Sequence, residues 1–226
     1  MIDAKQNTNL IGHDLLFNDL VKLDSNNKLP SKILISGKKG IGKSTLAFHF
    51  VNYLFSKYES NHYDLKNKKI NPENKSYKLV KSDTHPNLFT IKQKKEKRTI
   101  EISQIREMIS FINKSSFNNL PKIVIIDGSE DLNINSVNAL LKVMEEPSNN
   151  ISFLLIHNSD SRIAETLKSR CINFKLKLDN SFTEVIVNNY FKANLLNELS
   201  SQLKHYSFTP GYYIDFFEFC NENKIN

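Results

Sequence analysis

A chain of 226 residues suits one large domain or one domain with a small satellite. Hydrophobic residues at 39% and charged residues at 24% are ordinary for a globular protein, and no apolar run approaches the ~18 residues that a membrane-spanning helix requires. The net charge of +7 would suit a polyanion, but Lys and Asn are spread along the whole chain. The run KQKKEKR, Lys92 to Arg98, therefore reads as a solvated loop before it reads as a nucleic-acid contact.

The amino-terminal MIDAKQNTN is polar and carries no signal-peptide pattern. Cys171 and Cys220 stand far apart with no CxxC spacing or His-rich neighbour. Neither a disulfide framework nor a zinc cluster is expected, and the compartment expected is a reducing cytoplasm.

In chain order, apolar runs alternate with helical patterns, the arrangement of a parallel α/β sheet. KILIS (Lys32 to Ser36) predicts a first strand feeding a glycine loop. Leu46, Ala47, Phe50, Val51, Leu54 and Phe55 then recur at helical spacing as one buried stripe. From Ser56 to Pro86 the sequence turns polar, which predicts an exposed, mobile loop or insertion. NLFTI (Asn87 to Ile91) reads as a second strand, and Ser103 as the cap of a helix whose core face holds Ile105, Met108, Ile109 and Ile112.

IVIID (Ile123 to Asp127) is the next strand, followed by a helix with Val137, Leu140, Leu141 and Met144 on one face and a stop at Pro147. FLLI (Phe153 to Ile156) has the continuous apolar character of a strand covered on both faces, whereas INFKL (Ile172 to Leu176) alternates as an edge strand does. Beyond about Asp179 the patterning is helical, from Phe182 to Leu203 and from Tyr212 to Cys220. The aromatic residues Tyr212, Tyr213, Phe216, Phe217 and Phe219 are expected in the core of that helical part.

The sharpest chemical pattern is GKKGIGKS, Gly37 to Ser44, a complete G-x-x-x-x-G-K-S between a predicted strand and a predicted helix. Small residues let consecutive backbone N–H groups turn toward phosphate oxygens, and the helix that follows aims its positive end at them. Phosphate contacts are expected from Gly37, Gly40, Ile41, Gly42, Lys43, Ser44 and Thr45. Lys43 would reach the outer phosphates, and the Ser44 hydroxyl with the Asp127 carboxylate would hold Mg²⁺.

Four segments carry a resemblance to a known family: LIGHDLLFNDLVKL (Leu10 to Leu23), LPSKILISGKKGIGKSTLA (Leu29 to Ala47), IVIIDGSEDLNINSVNALLKVMEEP (Ile123 to Pro147) and FLLIHNSDSRIAETLKSRC (Phe153 to Cys171). With DTHPNLFTI and ISQIREMISF between them, the chain resembles the AAA+ clamp-loader family over most of its length. The resemblance implies a P-loop AAA+ α/β module with a parallel five-stranded sheet and flanking helices over residues 1–178. A small α-helical lid domain would follow over 179–226. It implies work within the replicative DNA polymerase III holoenzyme, loading a sliding clamp on primer-template DNA beside clamp-loader ATPase (gamma/tau) and delta subunits. Family members continue with a helical collar domain, which is expected to be absent here.

In the family, hydrolysing members carry Asp-Glu at the end of the third strand of this list. This chain has Asp127 followed by Gly128, so nucleotide (Mg-ATP or ADP) could bind while hydrolysis stays slow, a positioned base being worth about 10²–10⁴ in rate. Glu130 is the nearby carboxylate that could compensate, or else a solvated loop acid.

The resemblance further gives Arg170, in SRC, the role of an arginine finger reaching nucleotide held by a neighbouring subunit, and places Asn158 near a γ-phosphate sensor. No zinc is expected, because the stretch where relatives carry a four-cysteine module contains no cysteine. YSFTPGYY (Tyr206 to Tyr213) lacks the sensor arginine of ATPase subunits. Two readings stay open: an assembly component that binds nucleotide statically, or a working ATPase, either gamma/tau-like or a stand-alone P-loop enzyme.

Overall fold

The computed structural model describes residues 3–94, 96–118, 120–145, 150–193, 196 and 208–223. Five strands, β1 (Lys32–Gly37), β2 (Leu88–Lys92), β3 (Lys122–Asp127), β4 (Ile151–Asn158) and β5 (Ile172–Lys175), form one sheet in the order β2-β3-β4-β1-β5. All pairs are parallel, with Ile35 opposite Ile156 and Asp127 also opposite Ile156 in register. Parallel strands require crossovers that cover both faces, which is why β1, β3 and β4 are apolar through their middles.

Side-chain parity divides these strands between two cores. Ile33, Ile35, Ile123, Ile125, Leu154 and Ile156 face one layer, which contains α1 (Asp14–Ser25) and α2 (Lys43–Ser56). Leu34, Val124, Ile126, Phe153 and Leu155 face the other, built on α4 (Ile102–Ile112) and α5 (Ile134–Glu145). Lys122, at the start of β3, is buried, and its ammonium donates to the carbonyls of Phe111, Ile112 and Lys114, closing the C-terminus of α4. Among the described residues no helix is long and apolar enough to cross a membrane.

Three expectations are corrected. The stripe on α2 is not one-sided: every residue from Leu46 to Ser56 is buried. The cause is the second correction, the polar stretch after Ser56, which is exposed at many positions, as expected, yet packs against the sheet module. It contains α3 (Lys75–Lys81) and inserts Tyr63, Ile70, Tyr77 and Val80 into the first core.

Its polar groups find partners inside the protein. The His49 ring accepts from the Tyr63 hydroxyl (2.9 Å) and donates to the Asn7 carbonyl (3.1 Å). The Glu59 carboxylate accepts from the backbone N–H groups of Lys75 and Ser76, and the Asn74 side chain caps α3 at Tyr77 N. His85 stacks flat on Phe55, with ring centroids 4.0 Å apart.

Third, the cap of α4 is Glu101, whose backbone N–H donates to the Gln104 side chain (3.3 Å), and Ser103 lies one residue inside the helix.

After the last strand come α6's distant successors in the chain: α6 (Glu165–Lys168) precedes β5, then α7 (Asn180–Phe191) and α8 (Pro210–Glu222) follow it. α7 begins at Asp179, whose carboxylate accepts from Ser181 N (2.9 Å), and ends at Lys192 in a left-handed conformation. The expected helical pattern from residue 197 to Leu203, and the stop at Pro147, lie outside the described residues. Val187, Tyr213 and Ile214 form a small third core between α7 and α8, with Phe217 packed against it. Tyr212, Phe216 and Phe219, expected in that core, are exposed among the described residues.

Candidate functional site

The loop between β1 and α2 wraps tightly because two of its glycines adopt positive φ, Gly40 at 76° and Gly42 at 100°. Gly42 caps α2, and a Cβ there would stand 2.8 Å from His13 Nε2. That same nitrogen donates to the Ile41 carbonyl (2.8 Å), so the His13 ring braces the loop from beneath. Because a carbonyl only accepts, Nε2 carries the proton and Nδ1 is a bare acceptor without a partner among the described residues. Burial holds His13 below the usual histidine pKa, with the Ile41 hydrogen bond and Asp14 opposing.

Lys43 opens α2 almost fully buried, its ammonium donating to Gly37 O (2.9 Å) and Lys38 O (2.7 Å). Burial lowers its pKa, opposed by the charges of Glu130, Asp127 and Asp160. Next in sequence, the Ser44 hydroxyl donates to Asp127 Oδ2 at 2.9 Å, across 83 residues of chain. Asp127 ends β3, and burial raises its pKa while Ser44 and Lys43 pull it back. The expected trio of Lys43, Ser44 and Asp127 is therefore brought together.

Position 128 disfavours a side chain. Gly128 has φ of 86°, and a Cβ would meet Asp131 Oδ2 at 2.7 Å. Glu130, in the 3₁₀ turn Ser129–Asp131, corrects the reading of a solvated acid: only 13% of its side chain is exposed. Its carboxylate accepts from the Asn158 backbone N–H (3.1 and 3.2 Å) and from His157 Nδ1 (3.3 Å). Ser129 Oγ donates to Ile156 O (3.0 Å), joining the same turn to β4. The Asn158 side chain turns to its own loop, donating to Ser161 Oγ and accepting from Asp160 N.

A cleft of about 1680 Å³ runs along these groups, lined by Gly40 to Thr45, Asp127, Gly128, Glu130 and Asn158 from the sheet module and by Thr209 and Tyr212 from α8 and its cap. Arg170 is not among its lining residues. Its guanidinium lies over α6, with Nε donating to Glu145 Oε1 (2.8 Å), Nη2 at 2.6 Å from the same oxygen, and Nη1 donating to Thr166 O (3.0 Å). Beside it Cys171 packs on the second core, and burial pushes its thiol up to about 11, so it is no reactive nucleophile.

Two contributors were not found from sequence. His13 lies in LIGHDLLF, where nothing in the spacing separates it from a packing residue. The approach of α8 to the loop had a signal that went unused: Thr-Pro-Gly at a helix start supplies a cap, a first-turn proline and a residue without a Cβ.

A phosphate-type loop between β1 and α2, an aspartate at the end of β3 on the far side of β4, and the order β2-β3-β4-β1-β5 define a P-loop module of AAA+ type. The fold agrees with a solved DNA polymerase III gamma subunit-related protein from Thermotoga maritima, with a TM-score of 0.53 and 19% identity over 75% of this chain and 49% of that one. The chain belongs to the family described as "DNA polymerase III, delta subunit", which matches residues 12–180.

Among curated proteins it is similar to DNA polymerase III subunit delta' of Pseudomonas aeruginosa, 32% identical over 62% of this chain and 40% of that protein. The delta' subunits of two Buchnera aphidicola subspecies are also similar. The Baizongia pistaciae relative is 33% identical over 65% of this chain and 44% of its own length, and the Schizaphis graminum relative 28% over 83% and 56%. The chain thus spans about half the length of the curated relatives it matches.

Proposed function

We propose that this chain serves as the delta'-type subunit of a bacterial clamp loader, keeping a phosphate and magnesium cradle with little hydrolysis of its own. The observation that carries the reading is Gly128 directly after Asp127, in a left-handed turn that disfavours any residue with a side chain. The position where a hydrolysing relative places its water-activating carboxylate carries none, while Lys43, Ser44 and Asp127 stand together at the loop.

Residues 1–178 act as the nucleotide module and 179–226 as its lid. Backbone N–H groups of Gly37, Gly40, Ile41, Gly42, Lys43, Ser44 and Thr45 hold the phosphates of ATP or ADP. Lys43 exchanges its two loop carbonyls for phosphate oxygens. Ser44 Oγ and Asp127 Oδ2, already within hydrogen-bond distance, are oxygen donors of the type magnesium takes. Bound there, the ion would neutralise phosphate charge.

Arg170 acts in trans. It lies outside this chain's own cleft and is partly exposed, as a residue that serves a neighbour's nucleotide must be. The partners are the gamma/tau ATPase and delta subunits, and through them the sliding clamp and primer-template DNA.

A second reading, a working ATPase, draws on one observation: Glu130 sits in the site and is the strongest charge acting on Lys43. Against it, both Glu130 oxygens are engaged by Asn158 N. Purified chain given Mg-ATP separates the two. Binding that Lys43→Ala abolishes, without turnover, is expected; steady hydrolysis lost in Lys43→Ala would establish the ATPase. In a loader reconstituted with full-length partners, Arg170→Ala should lower DNA-stimulated hydrolysis at the facing site by ~10³ or more, the usual worth of such a finger, with assembly intact. Unchanged turnover would remove the finger assignment.

A further inference from the structure

The tip of the phosphate loop is held by a part of the chain 170 residues away. Thr209 Oγ1 donates to the Lys39 carbonyl (2.7 Å), and Gly211 N donates to the Gly40 carbonyl (2.9 Å). The contact is backbone on backbone: a Cβ on Gly211 would stand 2.6 Å from Gly40 Cα and 3.0 Å from Gly40 O. Seen from the other side, a Cβ on Gly40 would meet Thr209 Oγ1 at 2.7 Å and Gly211 Cα at 3.0 Å. Neither glycine tolerates a side chain without parting the two segments.

We infer that Thr209 and Gly211 are positioning residues of the phosphate loop, fixing the carbonyls of Lys39 and Gly40 and so the direction in which the loop's N–H groups point. The role attached to the loop rests on the nucleotide-cradle reading above; the positioning itself does not. A peptide plane has its N–H and C=O on opposite edges, so anchoring the carbonyls of residues 39 and 40 sets the aim of the N–H groups of Gly40 and Ile41. Because the anchors belong to the first turn of α8, the loop and the helix move together, with no nucleotide needed to hold them.

The test uses the whole chain and Mg-ADP as probe. In an ordinary helix Gly→Ala stabilises, so a Gly211→Ala variant that melts lower than wild type, with faster hydrogen exchange at residues 39–42 in the absence of nucleotide, is the expected sign reversal. Thr209→Val should speed the same exchange and weaken Mg-ADP about threefold to tenfold, the worth of one hydrogen bond. Thr209→Ser, which keeps the hydroxyl, should restore both.

A Gly211→Ala chain that melts higher with unchanged exchange, or a Thr209→Val chain that behaves as Thr209→Ser does, would overturn the inference. Should wild type bind no Mg-ADP, the cradle reading fails, while the exchange and melting results still decide the positioning role.

Discussion

Two peripheral segments of this chain contrast in how they attach to the sheet module. The stretch from Lys57 to Pro86 is polar in composition, yet it sends Tyr63, Ile70, Tyr77 and Val80 into the main core. α7 and α8 are rich in aromatic residues, yet among the described residues their shared core is Val187, Tyr213 and Ile214, and Tyr212 and Phe219 stay more than half exposed. Composition forecast the reverse. What fixes a segment is whether its polar groups find partners when buried; Glu59, Asn74 and His49 supply those partners in the first segment. α8 has instead two polar anchors at its start, both on the phosphate loop.

The sharpest way to break this contrast is Tyr63→Ala. The ring lies against Phe17 with centroids 5.1 Å apart, and the hydroxyl serves His49. The change should cost about 3–5 kcal/mol, as for other buried aromatic truncations, read from urea unfolding. A loss below ~1 kcal/mol would make the insertion a mere cover.

Acid should act on the same segment. Burial lowers the pKa of both His49 and His85 from 6.5 to about 4. Between those values the unfolded chain binds the protons and the folded one does not. Stability is therefore full above pH 6.5 and falls as pH drops toward 4, by about 3 kcal/mol for His49 alone. His49→Gln should flatten that slope; a melting temperature level across the window would contradict the buried, neutral ring.

At the small end, Phe219→Ala on exposed α8 should change stability by less than ~1 kcal/mol. A larger loss would mean that this face is covered and the contrast overdrawn.

Strands and the phosphate loop were legible because their signals are local: continuous apolar runs for β1, β3 and β4, and a motif whose spacing is its chemistry. Asp127 was legible once the loop was known, since a metal-binding carboxylate is wanted at a neighbouring strand end. Boundaries slipped where a side chain chose a tertiary partner. Asn87 was read as strand; its carbonyl accepts from Ile123 N at the end of the ladder while its side chain holds Phe117, and β2 begins one residue later. The full burial of α2, the aim of Glu130 and the rest position of Arg170 on Glu145 were not legible, because each depends on a residue far away in sequence that no spacing rule connects.

The turn after β3 has a bearing on how this site could change over time. Ser129 and Glu130 stitch it to β4, and Asp131 fills the space over Gly128. A Glu at 128 would meet a positive φ and the Asp131 carboxylate, so a carboxylate there brings backbone strain and a turned-aside Asp131 with it. The neighbours of Gly128 thus set how readily a carboxylate could stand at this position.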